Sequence, residues 1–163
     1  MSCPLCNKNH AYSIDEALKS LAGTPRRLDR LAQGFNAKQA SARPAPGKWS
    51  AKEIVCHLAD CELVYGLRYR MIISEPHATL MAFDQEAWAK HLQYREQPMK
   101  SALACFKVLR AGDIALLKSL PRSAWNKGGQ HPSYGALTLR QIVTHLVDHD
   151  RNHVAAIERL AAR

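Results

Sequence analysis

The chain has no apolar run approaching the roughly 20 residues that a membrane-spanning helix needs, so a bitopic or polytopic membrane protein is not expected. Its first ten residues, MSCPLCNKNH, lack the apolar core of a secretory signal, which makes the cytoplasm the expected compartment. No second C-x2-C follows Cys3 and Cys6, so that pair, even with His10 close behind, argues against an intramolecular structural zinc. A redox C-x-x-C would open a helix in a β-α-β setting, and none is apparent. The five cysteines are an odd number, and Cys56, Cys61 and Cys105 fall inside helical patterns; this fits reduced, buried thiols better than a disulfide framework. No segment alternates as a strand does. Acidic residues are few, 14 against 23 basic ones, for a net charge of +9. The basic residues are spread along the whole chain without a dense cluster, which argues against specific nucleic-acid binding and for a basic surface suited to acidic small molecules or to solubility.

What is present is a set of amphipathic helices. With 163 residues, 47% apolar and 23% charged, the chain has the composition of one globular domain. Ser13 with Glu16, Ser50 with Glu53, and Thr138 with Gln141 each have the spacing of a capping box. The first opens a helix through Ile14, Leu18 and Leu21, which Gly23-Thr24-Pro25 is expected to interrupt or kink before Leu28, Leu31 and Phe35 carry the apolar face on. After a Pro/Gly-rich loop over 40–48, the second box opens a helix to about Ser74 that is apolar on two faces, as in a bundle centre or a subunit interface. Asp84 is placed to cap a short helix, Pro98 to start a long one ending at Pro121, and 121–137 is a long connection. Together these predict an all-α protein, an up-down four-helix bundle with one or two short extra helices. Residues 1–12 are expected to form a flexible tail carrying the C-P-L-C, and 13–163 the bundle domain.

The last helix, Thr138–Leu160, carries the densest chemistry. His145, His149 and His153 follow one another at four-residue steps along one edge of its apolar stripe, so adjacent pairs can reach one ion. By helical phase His153 lies nearest the stripe and His149 next, which favours that pair as ligands. Helical histidines at this spacing are also found partly exposed or bonded to backbone carbonyls. Asp150 falls within the stripe itself, where a carboxylate must be paired, coordinating or facing a polar cavity. In a bundle, His57 of the second long helix can meet His149 and His153. Three imidazoles with water in the remaining positions are the ligand set of a catalytic site, and they suit Zn, Ni, Fe or Cu.

Two stretches resemble a known family. The run Pro44-Ala45-Pro46-Gly47-Lys48-Trp49-Ser50-Ala51-Lys52-Glu53-Ile54 with His57-Leu58-Ala59-Asp60, and Leu137-Thr138-Leu139-Arg140 with His149-Asp150-x-x-His153, are similar to signatures of the DinB-like (YfiT-like) metal-binding four-helix bundles. The likeness covers roughly residues 13–160. It implies a divalent ion, zinc or nickel first and iron or manganese next, on His57, His149 and His153, and a homodimer. It also implies a small-molecule substrate and an enzyme that transfers a low-molecular-weight thiol. The alternatives are a metal-dependent hydrolase using activated water, or a non-catalytic, stress-related metal- or ligand-binding module.

Around the three histidines, Asp60 and Asp150 are candidates to orient the imidazoles, and Glu62 is a candidate base or a paired core carboxylate. Arg68 and Arg70 are candidates to hold an anionic substrate, and Trp49 is placed at the helix entry. Cys61, one turn after His57, either faces the ion or is an inert buried thiol. A zincin is excluded because Asp150 stands where its Glu would be and ten residues after His153 leave no third ligand. A two-metal His-Asp phosphohydrolase is excluded by the lack of matching ligands elsewhere.

Overall fold

Three of the four long helices begin where a side chain satisfies orphan backbone donors, and the fourth begins behind a proline. The computed structural model describes residues 4–5 and 11–162. Ser13 and Glu16 cap α1 (Ile14–Gln33), Asn36 and Gln39 cap the one-turn α2 (Ala37–Ser41), and Ser50 and Glu53 cap α3 (Ala51–Ser74). Asp84 accepts the Glu86 and Ala87 amides at the start of α4 (Gln85–His91). Pro98 precedes α5 (Met99–Lys118), and Thr138 with Gln141 caps α6 (Leu139–Ala161). The three capping boxes read from the sequence are therefore formed; the one at Asn36 was not foreseen.

The all-α expectation is met by α1, α3, α5 and α6, which make a four-helix bundle. α5 and α6 each pack against both α1 and α3, so α1 and α3 face each other across a diagonal. Two apolar clusters divide its length. One gathers Leu18, Leu21, Tyr65, Tyr69, Ile114, Leu117 and Ile142; the other gathers Leu28, Ile54, Leu58, Tyr94, Phe106, Val154 and Ile157. Chain order through the clusters sets direction. α1 and α6 run from the first to the second, and α3 and α5 run back. α3 and α5 are thus parallel neighbours, which a simple up-down order would make antiparallel. Segment 75–98, with α4, is the long crossover that a parallel pair requires.

Pro25 does not interrupt α1, which is continuous from Ile14 to Gln33. A mid-helix proline costs stability chiefly by orphaning the carbonyl four residues back. Here that carbonyl, on Leu21, accepts a bond from Arg110 Nη1 at 3.0 Å, so the group Pro25 leaves unpaired has a buried donor. A small sheet also departs from the expectation of helices alone. β1 (Ala78–Thr79) pairs parallel to β2 (Gly128–His131), which pairs antiparallel to β3 (Gly135–Thr138). Strands of two to four residues carry no alternation to read. At Gly128 and Gly129 a Cβ would lie 2.6 Å from the Leu137 carbonyl and 2.8 Å from that of Ala78, so only glycine lets the backbones meet.

The Cys3–Cys6 motif and His10 lie outside the described residues. Of the expected tail, Leu5 packs against the first cluster, and the Tyr12 hydroxyl donates to Asp148 at 2.7 Å.

Glu53 is 1% exposed and is paired with the Arg43 guanidinium as well as with Ser50. Burial alone would raise its carboxyl, but the bonds from Arg43 and Ser50 outweigh it and hold the group below its ordinary 4.5. A carboxylate lowered on folding contributes stability above its unfolded pKa and loses it as pH falls through the folded one. Urea unfolding at stepped pH should therefore show wild type more stable than Glu53→Gln near neutrality, with the gap closing as pH falls below 4.5. A gap that stays constant with pH contradicts this assignment.

Candidate metal centre

Between the two apolar clusters lies a polar layer centred on Arg110, a side chain 2% exposed on α5. A guanidinium has five N–H bonds. Nε and Nη2 donate to Glu62 of α3 at 2.6 and 2.7 Å, Nη1 and Nη2 donate to Asp150 of α6 at 2.7 and 3.2 Å, and Nη1 also donates to Leu21 O of α1. One side chain thereby joins all four long helices with every donor used. Burial alone would raise the Asp150 carboxyl, but Arg110 pulls it down to about 2, so it stays ionised. Burial prevails at Glu62 and raises its carboxyl against the pull of Arg110.

The histidines border this layer. α3 presents His57 and Cys61 on one face, one turn apart, and α6 presents His149 and His153 in the same relation. The Nε2 atoms of His57 and His149 are 3.2 Å apart. Cys61 Sγ lies 3.4 Å from the first and 3.9 Å from the second. The His153 ring packs against both imidazoles, with its centroid 4.8 Å from that of His57 and 4.5 Å from that of His149, while the compact trio of donor atoms is that of His57, Cys61 and His149. His145 lies one turn away, its ring 6.4 Å from that of His149.

These residues fit a divalent ion. Burial, reinforced by the neighbouring His149 and His153, lowers His57 to about 2, and burial with His149 lowers His153 to about 3. Both are therefore neutral, the form in which imidazole is a ligand. Two nitrogens on one tetrahedral zinc sit about 3.3 Å apart, given Zn–N of about 2.0–2.1 Å, close to the separation seen here. His149 Nδ1 is buried without a hydrogen bond and lies 3.9 Å from Asp150 Oδ1, the kind of carboxylate that steadies a ligating imidazole. The Cys61 thiol is pushed up by burial and by the charges of Glu62 and Asp150, which keeps it protonated while no cation is near.

Trp49 closes one side of the cluster. Its ring is 4.8 Å from His57 and stacks on His153 at 6.5 Å. Beyond it opens a cleft of about 450 Å³ whose walls include Trp49, His153, Leu160, Lys48, Arg159 and Glu86.

The structure brings together His57, His149, His153, Cys61, Trp49 and Asp150, and sends the other expected residues elsewhere. Asp60 accepts the Tyr94 hydroxyl at 2.5 Å, anchoring the crossover instead of orienting an imidazole. Glu62 is bound by Arg110, so it serves as a paired core carboxylate and not a free base. Arg68 is buried and donates to Met81 O at 2.6 Å beside His131 Nε2; Arg70 pairs with Asp113 at 2.7 Å. Neither arginine lines the cleft, whose cations are Lys48 and Arg159. Sequence reasoning passed over Arg110 as a site residue. Its signal was a charge on the apolar stripe of Phe106, Ile114 and Leu117, matching the two stray carboxylates on other helices.

The DinB superfamily model matches residues 20–157. A protein of Oceanobacillus iheyensis named "Putative metal-dependent hydrolase" is 23% identical over 150 residues, 92% of this chain and 87% of the relative. Bacillus subtilis YfiT, which carries the same descriptive name, is 24% identical over 150 residues, 91% and 84% of the two chains. The solved structure of YfiT, described as "a probable metal-dependent hydrolase with an unusual four-helix bundle topology", superposes with a TM-score of 0.87 at 22% identity, covering 96% of this chain and 91% of that one. This last likeness establishes the shared fold.

Removing one partner of a buried ion pair strands the rest. Arg110→Met should lower unfolding free energy by about 3–5 kcal/mol. Arg110→Lys should recover only part of that, since three donors replace five. Equilibrium urea unfolding checks this; equal stability of Arg110→Met and wild type would remove the layer's structural role.

Proposed function

We propose that this chain, which belongs to the DinB superfamily, is a divalent-metal-dependent enzyme acting on a small molecule, with His57, His149 and His153 as ligands of the ion. Zinc or nickel suits imidazole donors best, with iron or manganese next. The observation that carries the reading is the meeting of three imidazoles, two of which (His57 and His153) burial holds neutral, at the wall of a cleft large enough for a substrate.

When bound, the ion supplies a Lewis-acid centre that activates a water or a thiol and polarises an electrophile. The protein's own groups do the rest. Burial keeps His57 and His153 free of protons, so their lone pairs remain available at neutral pH. Asp150, fixed by two bonds from Arg110, stands beside His149 and favours one orientation of that ring. Trp49 covers the imidazoles and limits the approach of bulk water. Lys48 and Arg159 line the cleft against one carboxylate, Glu86, an excess of positive charge that suits a substrate or thiol bearing a carboxylate.

The reaction we favour is transfer of a low-molecular-weight thiol to an electrophile. Hydrolysis is the second reading, supported by the names of the relatives. A cleft beside the cluster supports turnover over a purely metal-binding, stress-related role. Among the described residues no helix is long and apolar enough to cross a membrane, and a cytoplasmic location is part of this reading. A homodimer is supported by Leu63 and Leu67, one turn apart on α3 and 50% and 43% exposed.

The test is turnover of metal-loaded protein with a nitroaryl electrophile and a nitrophenyl ester, each with and without cysteine as the thiol. Conjugate formation that requires thiol and is lost in His57→Ala is the expected result. Hydrolysis without thiol would select the second reading, and metal binding with no turnover would select the non-catalytic one. Lys48→Ala and Arg159→Ala should each raise KM about tenfold for carboxylate-bearing substrates and much less for neutral ones, since a charged hydrogen bond contributes about 1.5–3 kcal/mol.

A further inference from the structure

We infer that Cys61 is a fourth protein donor to the ion, giving the centre three imidazole nitrogens and one sulfur; this rests on the metal site proposed above. The geometry comes from two matched pairs. His57 and Cys61 are four residues apart on α3, and His149 and His153 are four apart on α6, an antiparallel neighbour. Residues at that spacing share one helix face, so each helix offers a two-donor clamp and the clamps face each other.

Distances single out the sulfur. Among the described residues, the His57, Cys61 and His149 donor atoms form the one compact trio of possible ligand atoms, all within 4.8 Å of one another. Its edges are 3.2, 3.4 and 3.9 Å. One tetrahedral zinc with Zn–N of about 2.0–2.1 Å and Zn–S of about 2.3 Å spaces its donors about 3.3 Å (N to N) and 3.6 Å (N to S) apart. Packing alone does not account for this placement. Cys56, on the same helix and equally buried, turns its Sγ to the Tyr94 carbonyl at 3.8 Å, and Cys105 is exposed. Of the three described cysteines, Cys61 alone meets imidazoles.

Coordination converts the thiol to a thiolate, its proton passing to solvent as sulfur takes the ion. A sulfur donor shifts preference toward zinc, cobalt, nickel or copper and away from manganese and magnesium, which an all-imidazole set separates less sharply. The chain thereby gains selectivity that three histidines alone would not provide.

Cobalt(II) is the probe, because sulfur ligation adds a charge-transfer absorption in the near ultraviolet that nitrogen ligation does not. Full-length protein carrying Cys3→Ser and Cys6→Ser, stripped of metal and titrated with cobalt(II) chloride, should show that band at one equivalent. Adding Cys61→Ser should abolish the band while cobalt still binds through the histidines, roughly tenfold or more weakly, since even groups behind the ligands alter affinity 10–100-fold. Adding Cys56→Ser instead should leave the band intact. Cobalt bound without the band, or a band that survives Cys61→Ser, overturns the sulfur ligand and leaves the histidine site standing. No cobalt binding at all overturns the histidine site and this inference with it.

Discussion

The burial of Arg110 is the constraint on which the rest of this bundle depends. A guanidinium taken out of water is tolerated only when its donors are met, and here all five are, by groups from three other helices. Glu62, Asp150 and the Leu21 carbonyl must therefore arrive together, which fixes the rotation of α3, α6 and α1 about α5. Pro25 belongs to the same arrangement. By lacking an N–H it leaves the Leu21 carbonyl open to Arg110, so a residue that would ordinarily weaken a helix supplies an acceptor to the core.

That layer also sets the chemistry beside it. Asp150 is sequence neighbour to His149, and Glu62 is neighbour to Cys61. Once Arg110 holds both carboxylates, the next positions along α3 and α6 are turned toward each other. The imidazoles meet because the salt-bridge layer has fixed the phase of their helices. Apolar clusters above and below keep water out, and burial strips protons from His57 and His153. Trp49 covers one side of the cluster, and the cleft beyond it, lined by Lys48, Arg159 and Glu86, reaches His153. Structure and chemistry thus share a few consecutive residues, and a change at Arg110 should be felt at the imidazole cluster.

Much of this was legible in the sequence because the signals are local. Capping boxes at Ser13, Ser50 and Thr138, and apolar residues at helical spacing, located the four long helices within a few residues. The i, i+4 spacing of His149 and His153, with His57 at the matching place on α3, marked the cluster. What was not legible depends on partners distant in sequence. Pro25 reads as a break unless one knows that Arg110 will meet Leu21. Arg68 and Arg70 read as free cations until Met81 O and Asp113 claim them. The parallel course of α3 and α5 follows from where segment 75–98 travels, which no periodicity encodes, and Gly128-Gly129 gives no strand pattern because its role is close backbone approach. The sequence left Cys61 either facing the ion or an inert buried thiol, because nothing in its own helix says which way His149 faces.

The most direct test is the metal content of the purified, tag-free protein by elemental analysis, with His57→Ala and His153→Ala prepared in parallel. The account requires about one divalent ion per wild-type chain and its loss from both variants, with helical content by circular dichroism unchanged. Wild-type protein that stays free of metal after incubation with zinc, nickel, iron and manganese would contradict it, and would make the histidine cluster a structural feature of the core.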